Sequence, residues 1–210
     1  MKQGAVTCLV LCAMAAGWTC GARADRILLS PQGDTLPPNG FKSEFALSPS
    51  NTDYNLSWIQ VSNSQGIEFE GQRIGLGGDA KTRYDMNVQY PLLTDLGTYP
   101  SVSVGVRDLL GTGLEHKAVY LAATKSFPLS DRQLHVLRAF KLNAGIGTGR
   151  MDGLFVGMEA RLRAGVSLYA EFYRRRPNLG LALPLGQHAQ VNAYSLDGTL
   201  FYGLSYSIAR

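Results

Sequence analysis

From Phe41 to Ile208 apolar residues recur at every second position, and Gly, Pro, Asn or Asp interrupts the alternation every eight to twelve residues. Successive side chains of a strand point to opposite faces, so this period specifies many short antiparallel strands, each apolar on one face only. Tyr84, Met86, Val88 and Tyr90 alternate with Asp85, Asn87 and Gln89; Val102, Val104 and Val106 alternate with Ser101, Ser103, Gly105 and Arg107. Leu154, Val156, Met158, Ala160 and Leu162 are set against Gly157, Glu159, Arg161 and Arg163. Val166, Leu168, Ala170 and Phe172 are set against Ser167, Tyr169, Glu171 and Tyr173, and Leu200, Tyr202, Leu204, Tyr206 and Ile208 against Gly203, Ser205 and Ser207.

A soluble β-sandwich also alternates, so the content of the polar parity decides between architectures. A solvent face is rich in Lys, Glu and Thr, whereas here the polar parity holds Gly, Ser and Asn with occasional Arg or Glu, the pattern of a narrow polar lumen. With 45% hydrophobic and 17% charged residues, the apolar residues are spread along the chain and form no helical membrane span. The expected fold is all-β: a single closed antiparallel up-and-down transmembrane β-barrel of about twelve strands, with apolar side chains toward lipid. The strands are expected near 41–48, 54–63, 66–75, 82–91, 99–109, 116–127, 135–146, 154–164, 166–174, 178–185, 188–196 and 199–208. Leu56, Trp58, Ile59 and Val61 change parity within one strand, which predicts a bulge near Ile59.

The expected organisation is a signal peptide over 1–24, a loose periplasmic segment over 25–40 and the barrel over 41–210. Lys2, the apolar stretch Ala5–Ala16 and Ala22-Arg23-Ala24 before Asp25 form the signal pattern; a lipoprotein signal ending at Cys20 is the rival, and Gly17-Trp18-Thr19 fits it poorly. Cleavage removes Cys8, Cys12 and Cys20, leaving an exported chain without cysteine, so disulfides hold nothing together. It also takes the net charge from +4 to +2, because Lys2 and Arg23 leave and no acid does, and this mild balance gives no argument for nucleic acid. Pro31, Pro37 and Pro38 mark 25–40 as non-periodic.

With both ends in the periplasm, the outward connections fall near 49–53, 76–81, 110–115, 147–153, 175–177 and 197–198. All are short and leave no room for a plug or lid, so function is expected in the wall, the lumen or the rims. Glu159, Arg161, Arg163, Tyr169, Glu171 and Tyr173 come from two strands joined at Ala164-Gly165. Pairing on one face requires an odd loop, which three residues with Gly165 in the left-handed conformation supply. Two readings of this patch stand side by side: a charged surface for a polar or anionic solute, and a salt-bridged filling of a small barrel. Arg174, Arg175 and Arg176 form the basic run; with Lys81, Arg83, His116, Lys117 and Arg150 they are expected on the outer rim. There they either hold anionic lipopolysaccharide or an acidic polysaccharide, or stay solvated.

His116, His135 and His188 are scattered, with no metal spacing and no nucleophile signature, so no enzyme, metal or cofactor is expected. Gly111-Thr112-Gly113 and Gly145-Ile146-Gly147-Thr148-Gly149 lack the Lys-Ser/Thr of a phosphate loop and read as bends.

PSVSVGVRDLLGTG at Pro100–Gly113 resembles a segment of the YjbH-type exopolysaccharide proteins of Gram-negative bacteria. So do AATKSF at Ala122–Phe127, LNAGIGTGR at Leu142–Arg150, GLFVGMEARL at Gly153–Leu162, VSLYAEF at Val166–Phe172 and NLGLAL at Asn178–Leu183. The resemblance implies an outer-membrane barrel linked to making or exporting an extracellular polysaccharide, although members of that family are longer and look like tandem barrels. Such barrels commonly end on an aromatic residue read by the barrel-assembly machinery; here Tyr206 is the nearest one on the apolar face. The partners expected are therefore outer-membrane lipid and lipopolysaccharide, a polysaccharide and the assembly machinery. A narrow polar passage or docking wall for a glycan is then expected to use Arg107, Lys141, Asn143, Glu159, Arg161, Arg163, Tyr169, Glu171 and Tyr173. A structural barrel without a transported ligand, a soluble periplasmic ligand-binding barrel and a lipid-modifying enzyme are the alternatives.

Overall fold

The computed structural model describes residues 28–50, 54–76, 82–113, 116–129, 136–151 and 153–208. The expected signal peptide over 1–24, Lys81 and His135 lie outside the described residues. Alternation is realised as twelve strands among the described residues: β1 (Phe41–Leu47), β2 (Tyr54–Ser62), β3 (Glu68–Leu76), β4 (Arg83–Leu93), β5 (Ser101–Arg107) and β6 (Ala118–Pro128). These are followed by β7 (Leu137–Gly147), β8 (Gly153–Leu162), β9 (Ser167–Tyr173), β10 (Arg176–Pro184), β11 (Ala189–Leu196) and β12 (Thr199–Ile208). Each strand pairs antiparallel with its neighbours in sequence, and β1 pairs with β12 from Phe41 opposite Ile208 to Leu47 opposite Tyr202, closing the barrel. Closure leaves no sheet edge unpaired.

The rim at which β1, β3, β5, β7, β9 and β11 end is the upper rim; Gly40 and the end of β12 lie at the lower rim. The apolar parity faces outward throughout, with Leu154, Leu179 and Ile146 about three-fifths exposed. The hairpin between β8 and β9 closes through Leu162 N–H on Val166 O at 2.8 Å around the three residues 163–165, and Gly165 takes φ +82°. That is the odd loop required for Glu159 and the β9 polar residues to share a face.

Two expectations fail. No bulge interrupts β2: its register with β1 and β3 runs unbroken. Leu56 and Trp58 point inward, while Ile59 and Val61 point outward. The apparent change of parity arises because the upper half of the lumen is itself apolar. Irregularities occur instead at Pro91–Leu93 and Leu137–Ala139.

The second failure concerns 25–40. Its described part, from Leu28 on, is not loose: it turns at Pro37–Gly40, with Gly40 N–H on Pro37 O at 2.8 Å, and runs up inside the barrel. Leu28 and Leu29 pack on Ala46, Leu56, Trp58, Tyr194, Leu196 and Phe201, and Leu29 also meets the cluster of Ala118, Tyr120, Ala122, Met151, Phe155 and Tyr173. The leading segment serves as a plug. A strand wall whose inner face is polar offers its hydrogen-bonding groups to whatever fills the lumen, and prolines keep this segment extended enough to accept them.

At the lower rim Lys125 Nζ donates to Asp95 Oδ1 at 2.8 Å, and the amides of Gly97 and Ser126 donate to the same carboxylate. The Lys125 hydrogen bond, aided by those amides, holds the Asp95 carboxyl below its ordinary value. A depressed carboxylate stabilises the fold above its unfolded value and ceases to do so as pH falls through the lowered one. Amide exchange at Gly97 and Ser126 is therefore expected to be slow at neutral pH and to accelerate well below about pH 4. Asp95→Asn is expected to show the fast exchange at every pH.

Candidate functional site

The lumen is the site, and its geometry is set by which inward residues reach the internal segment. Glu171 on β9 is the main anchor. Its carboxylate accepts the amides of Leu28 (3.1 Å), Leu29 (3.0 Å) and Ser30 (3.0 Å), the Ser30 hydroxyl (2.8 Å) and Asn178 Nδ2 (2.8 Å). Further down, Asn143 Nδ2 donates to Pro31 O at 2.8 Å and accepts at Oδ1 from Thr124 Oγ1 at 2.8 Å. Gln89 Nε2 and Ser103 Oγ donate to Gln32 O at 2.9 and 2.8 Å, and Gly33 N–H donates to Thr124 Oγ1 at 2.8 Å. Lys141 Nζ lies 2.9 Å from Asp34 Oδ2, Ser101 Oγ donates to Asp34 Oδ1, and Leu36 N–H donates to Glu68 Oε2 at 2.9 Å.

Gly33 shows how close the fit is. A Cβ there would run into the Ser101 carbonyl and come within 2.7 Å of Thr124 N, so backbone lies against backbone. Beside the segment only small spaces remain. One of about 30 Å³ is lined by Lys42, Glu44, Trp58, Tyr169 and Tyr194, and another of about 10 Å³ by Arg107, Glu70, Asn87 and Tyr120. Each is of the order of one or two waters. A recess of about 280 Å³ at the lower mouth is lined by Ser126, Lys141, Glu159 and Arg161 among others.

The expected residues separate into groups. Lys141, Asn143 and Glu171 touch the internal segment directly. Glu159 pairs with Arg161 at 2.9 Å, accepts the Ser167 hydroxyl at 3.3 Å and lies 4.0 Å from Lys141. Arg107 is buried high in the wall, and Tyr169 lines the 30 Å³ space. One expectation is corrected. Arg163 is not in the lumen: β8 ends at Leu162 and Arg163 is exposed in the turn that Gly165 closes. Tyr173 is buried on the inner face, edge-to-face against Phe155 with ring centres 6.2 Å apart. Glu171 does not share the arginine network of Glu159; its register partners are Gly157 and Asn178, and its donors come from the internal segment.

Arg83, Lys117, Arg150, Arg174, Arg175 and Arg176 all sit at the upper rim, as expected. Arg83 donates to Gly113 O at 3.1 Å, Arg176 lies 3.4 Å from Asp197, and Arg174-Arg175 form a two-residue turn with φ of 53° and 61°. His116 is exposed at that rim and His188 at the lower one, where it packs against Tyr206. Sequence reasoning missed Gln32, Asp34, Gln89, Ser101, Ser103, Thr124 and Asn178. The signal available for them was the inward pair Leu56 and Trp58, which needs an apolar occupant.

The buried part of the strand wall carries the carboxylates Glu44, Glu68, Glu70, Asp85, Glu159 and Glu171 against the cations Lys42, Arg107 and Lys141. The arrangement can hold one extended polymer through its polar groups, and its own charge is acidic. Removing the main anchor leaves several buried amides without an acceptor. Glu171→Leu is thus expected to lower stability by about 3 kcal/mol, read from the urea midpoint of the refolded barrel; a loss near zero contradicts the assigned anchor.

The KdgM porin covers 81% of this chain and 99% of its own at 10% identity, with a TM-score of 0.49. A mutant form of the Rh. blastica porin covers 74% of this chain and 56% of its own at 11% identity, with a TM-score of 0.33. A search of curated proteins found no match. The family described as Exopolysaccharide biosynthesis protein YbjH matches residues 59–207, from the middle of β2 to the end of β12. With most of the barrel matched, this chain belongs to the YjbH exopolysaccharide biosynthesis family.

Proposed function

We propose that the chain is an outer-membrane barrel that gives a glycan of the exopolysaccharide pathway a narrow polar passage, closed at rest by residues 28–36. The observation that carries this reading is that the lumen already accommodates one extended chain, held by wall side chains through its backbone groups. An extended peptide and a single glycan strand have similar cross-sections, and both present regularly spaced hydrogen-bonding groups. The outward band of aliphatic side chains supports the membrane location, as do Tyr90, Tyr206 and the stacked pair Phe127 and Phe140 toward the lower rim, where a membrane barrel carries an aromatic girdle. The upper-rim arginines suit the phosphates of lipopolysaccharide. The barrel supplies binding and orientation, with no catalytic step.

The filled lumen favours a second reading, a structural barrel through which nothing moves. Lys141 and Arg161 at the lower mouth separate the two. Lys141→Ala combined with Arg161→Ala frees Asp34 and removes the cations of the lower mouth, and is expected to change released polysaccharide several-fold while the barrel still shifts on denaturing gels when boiled. Unchanged release from assembled barrels establishes the structural reading.

A further inference from the structure

Apart from a single-residue bridge at Pro31, the internal segment lies outside the barrel sheet. The twelve strands close on one another through β1 and β12, so withdrawal of residues 28–36 breaks the Pro31 bridge and none of the ladders between the twelve strands. It is tied at its lower end by the turn at Pro37–Gly40, where Asn39 takes φ 58°, and at its upper end by Leu28, Leu29 and the Glu171 cradle. Between these points its contacts are polar groups that water or another polar polymer replaces in kind. Its one acidic side chain, Asp34, occupies Lys141.

What remains when the segment leaves is a wall with six buried carboxylates against three buried cations. Glu171 then presents a carboxylate from which the Leu28, Leu29 and Ser30 donors have gone. A lumen of one sign with low-dielectric walls concentrates ions of the opposite sign and repels its own. Arg83 and Arg161 sit at the mouths and leave the sign of the middle unchanged.

We propose that residues 28–36 are a displaceable occupant of an acid-lined passage, which with the segment out takes a neutral or cationic glycan and rejects an acidic one. The proposal rests on the passage reading above and adds the substrate class. Chitosan oligomers and cellulose oligomers represent the accepted class, and oligogalacturonate the rejected one.

The test is ion conductance in planar bilayers, a readout independent of secretion in cells. The full chain after export is expected to conduct little. A variant lacking 25–36 is expected to conduct at least tenfold more, with a reversal potential in a KCl gradient that shows potassium preferred to chloride. Chitosan oligomers added to the open barrel are expected to interrupt the current at lower concentration than oligogalacturonate, and the synthetic peptide LLSPQGDTL to close it again. Gly33→Val keeps the whole chain but clashes with Ser101 and Thr124, so it serves where the deletion fails to assemble; it is expected to open the barrel and to red-shift the emission of Trp58, which Leu28 otherwise covers. Conductance at the wild-type level in assembled barrels of both variants overturns the displaceable segment. Chloride preference, or block by oligogalacturonate at equal or lower concentration, overturns the substrate class. Altered polysaccharide release from cells carrying a cation-preferring open variant supports both readings, whereas unchanged release with such a barrel removes the glycan and leaves the passage.

Discussion

Closure of the sheet is the constraint from which the other features follow. Once β1 pairs with β12, the backbone is satisfied within the wall, and one parity of every strand is committed to the interior. That parity is rich in Gln, Asn, Ser, Glu and Lys, which have no apolar core to join. Polar groups buried in a lumen need partners, and the described structure provides them in two ways: wall to wall, as between Glu159 and Arg161, and wall to the internal segment, as at Glu171. The segment is thus the polar counterpart of a hydrophobic core.

The same arrangement explains the apolar exception. A purely polar lumen has no use for Leu56, Trp58, Phe155 and Phe201 on its inner face, yet these side chains are buried there. They grip Leu28 and Leu29 and, with Met151 folded in from the short 3-10 turn Gly149–Met151, fill the upper part of the barrel. Stability in this half comes from apolar packing; in the lower half it comes from hydrogen bonds and ion pairs. The internal segment is thus held at its two ends by different physics.

Much of this was legible in the sequence. All twelve strands fall within two residues of the positions given by alternation, because a half-buried strand in a closed sheet obeys one period from end to end. The odd turn at 163–165 and the shared rim of the arginines followed from the same count. Of the site, Lys141, Asn143 and Glu171 were legible as inward polar residues, but their real partners were not. Residues 28–36 carry no periodicity because, beyond one bridge at Pro31, they pair with side chains rather than along a strand, and prolines and a glycine read locally as a loose segment. Arg163 was misplaced because period two continues one residue past the true end of β8, and the ring contact of Tyr173 with Phe155 was not legible because parity tells which way a side chain points and not what it meets there.

The central claim, that the chain's own leading segment occupies the lumen, is tested most directly by hydrogen exchange on the refolded barrel in detergent. The amides of Leu28, Leu29, Ser30, Gly33 and Leu36 are donors to wall side chains and are expected to exchange as slowly as strand amides, orders of magnitude below an open chain. Exchange of these five amides at the rate of an unstructured peptide, with the strand amides still protected, contradicts the account.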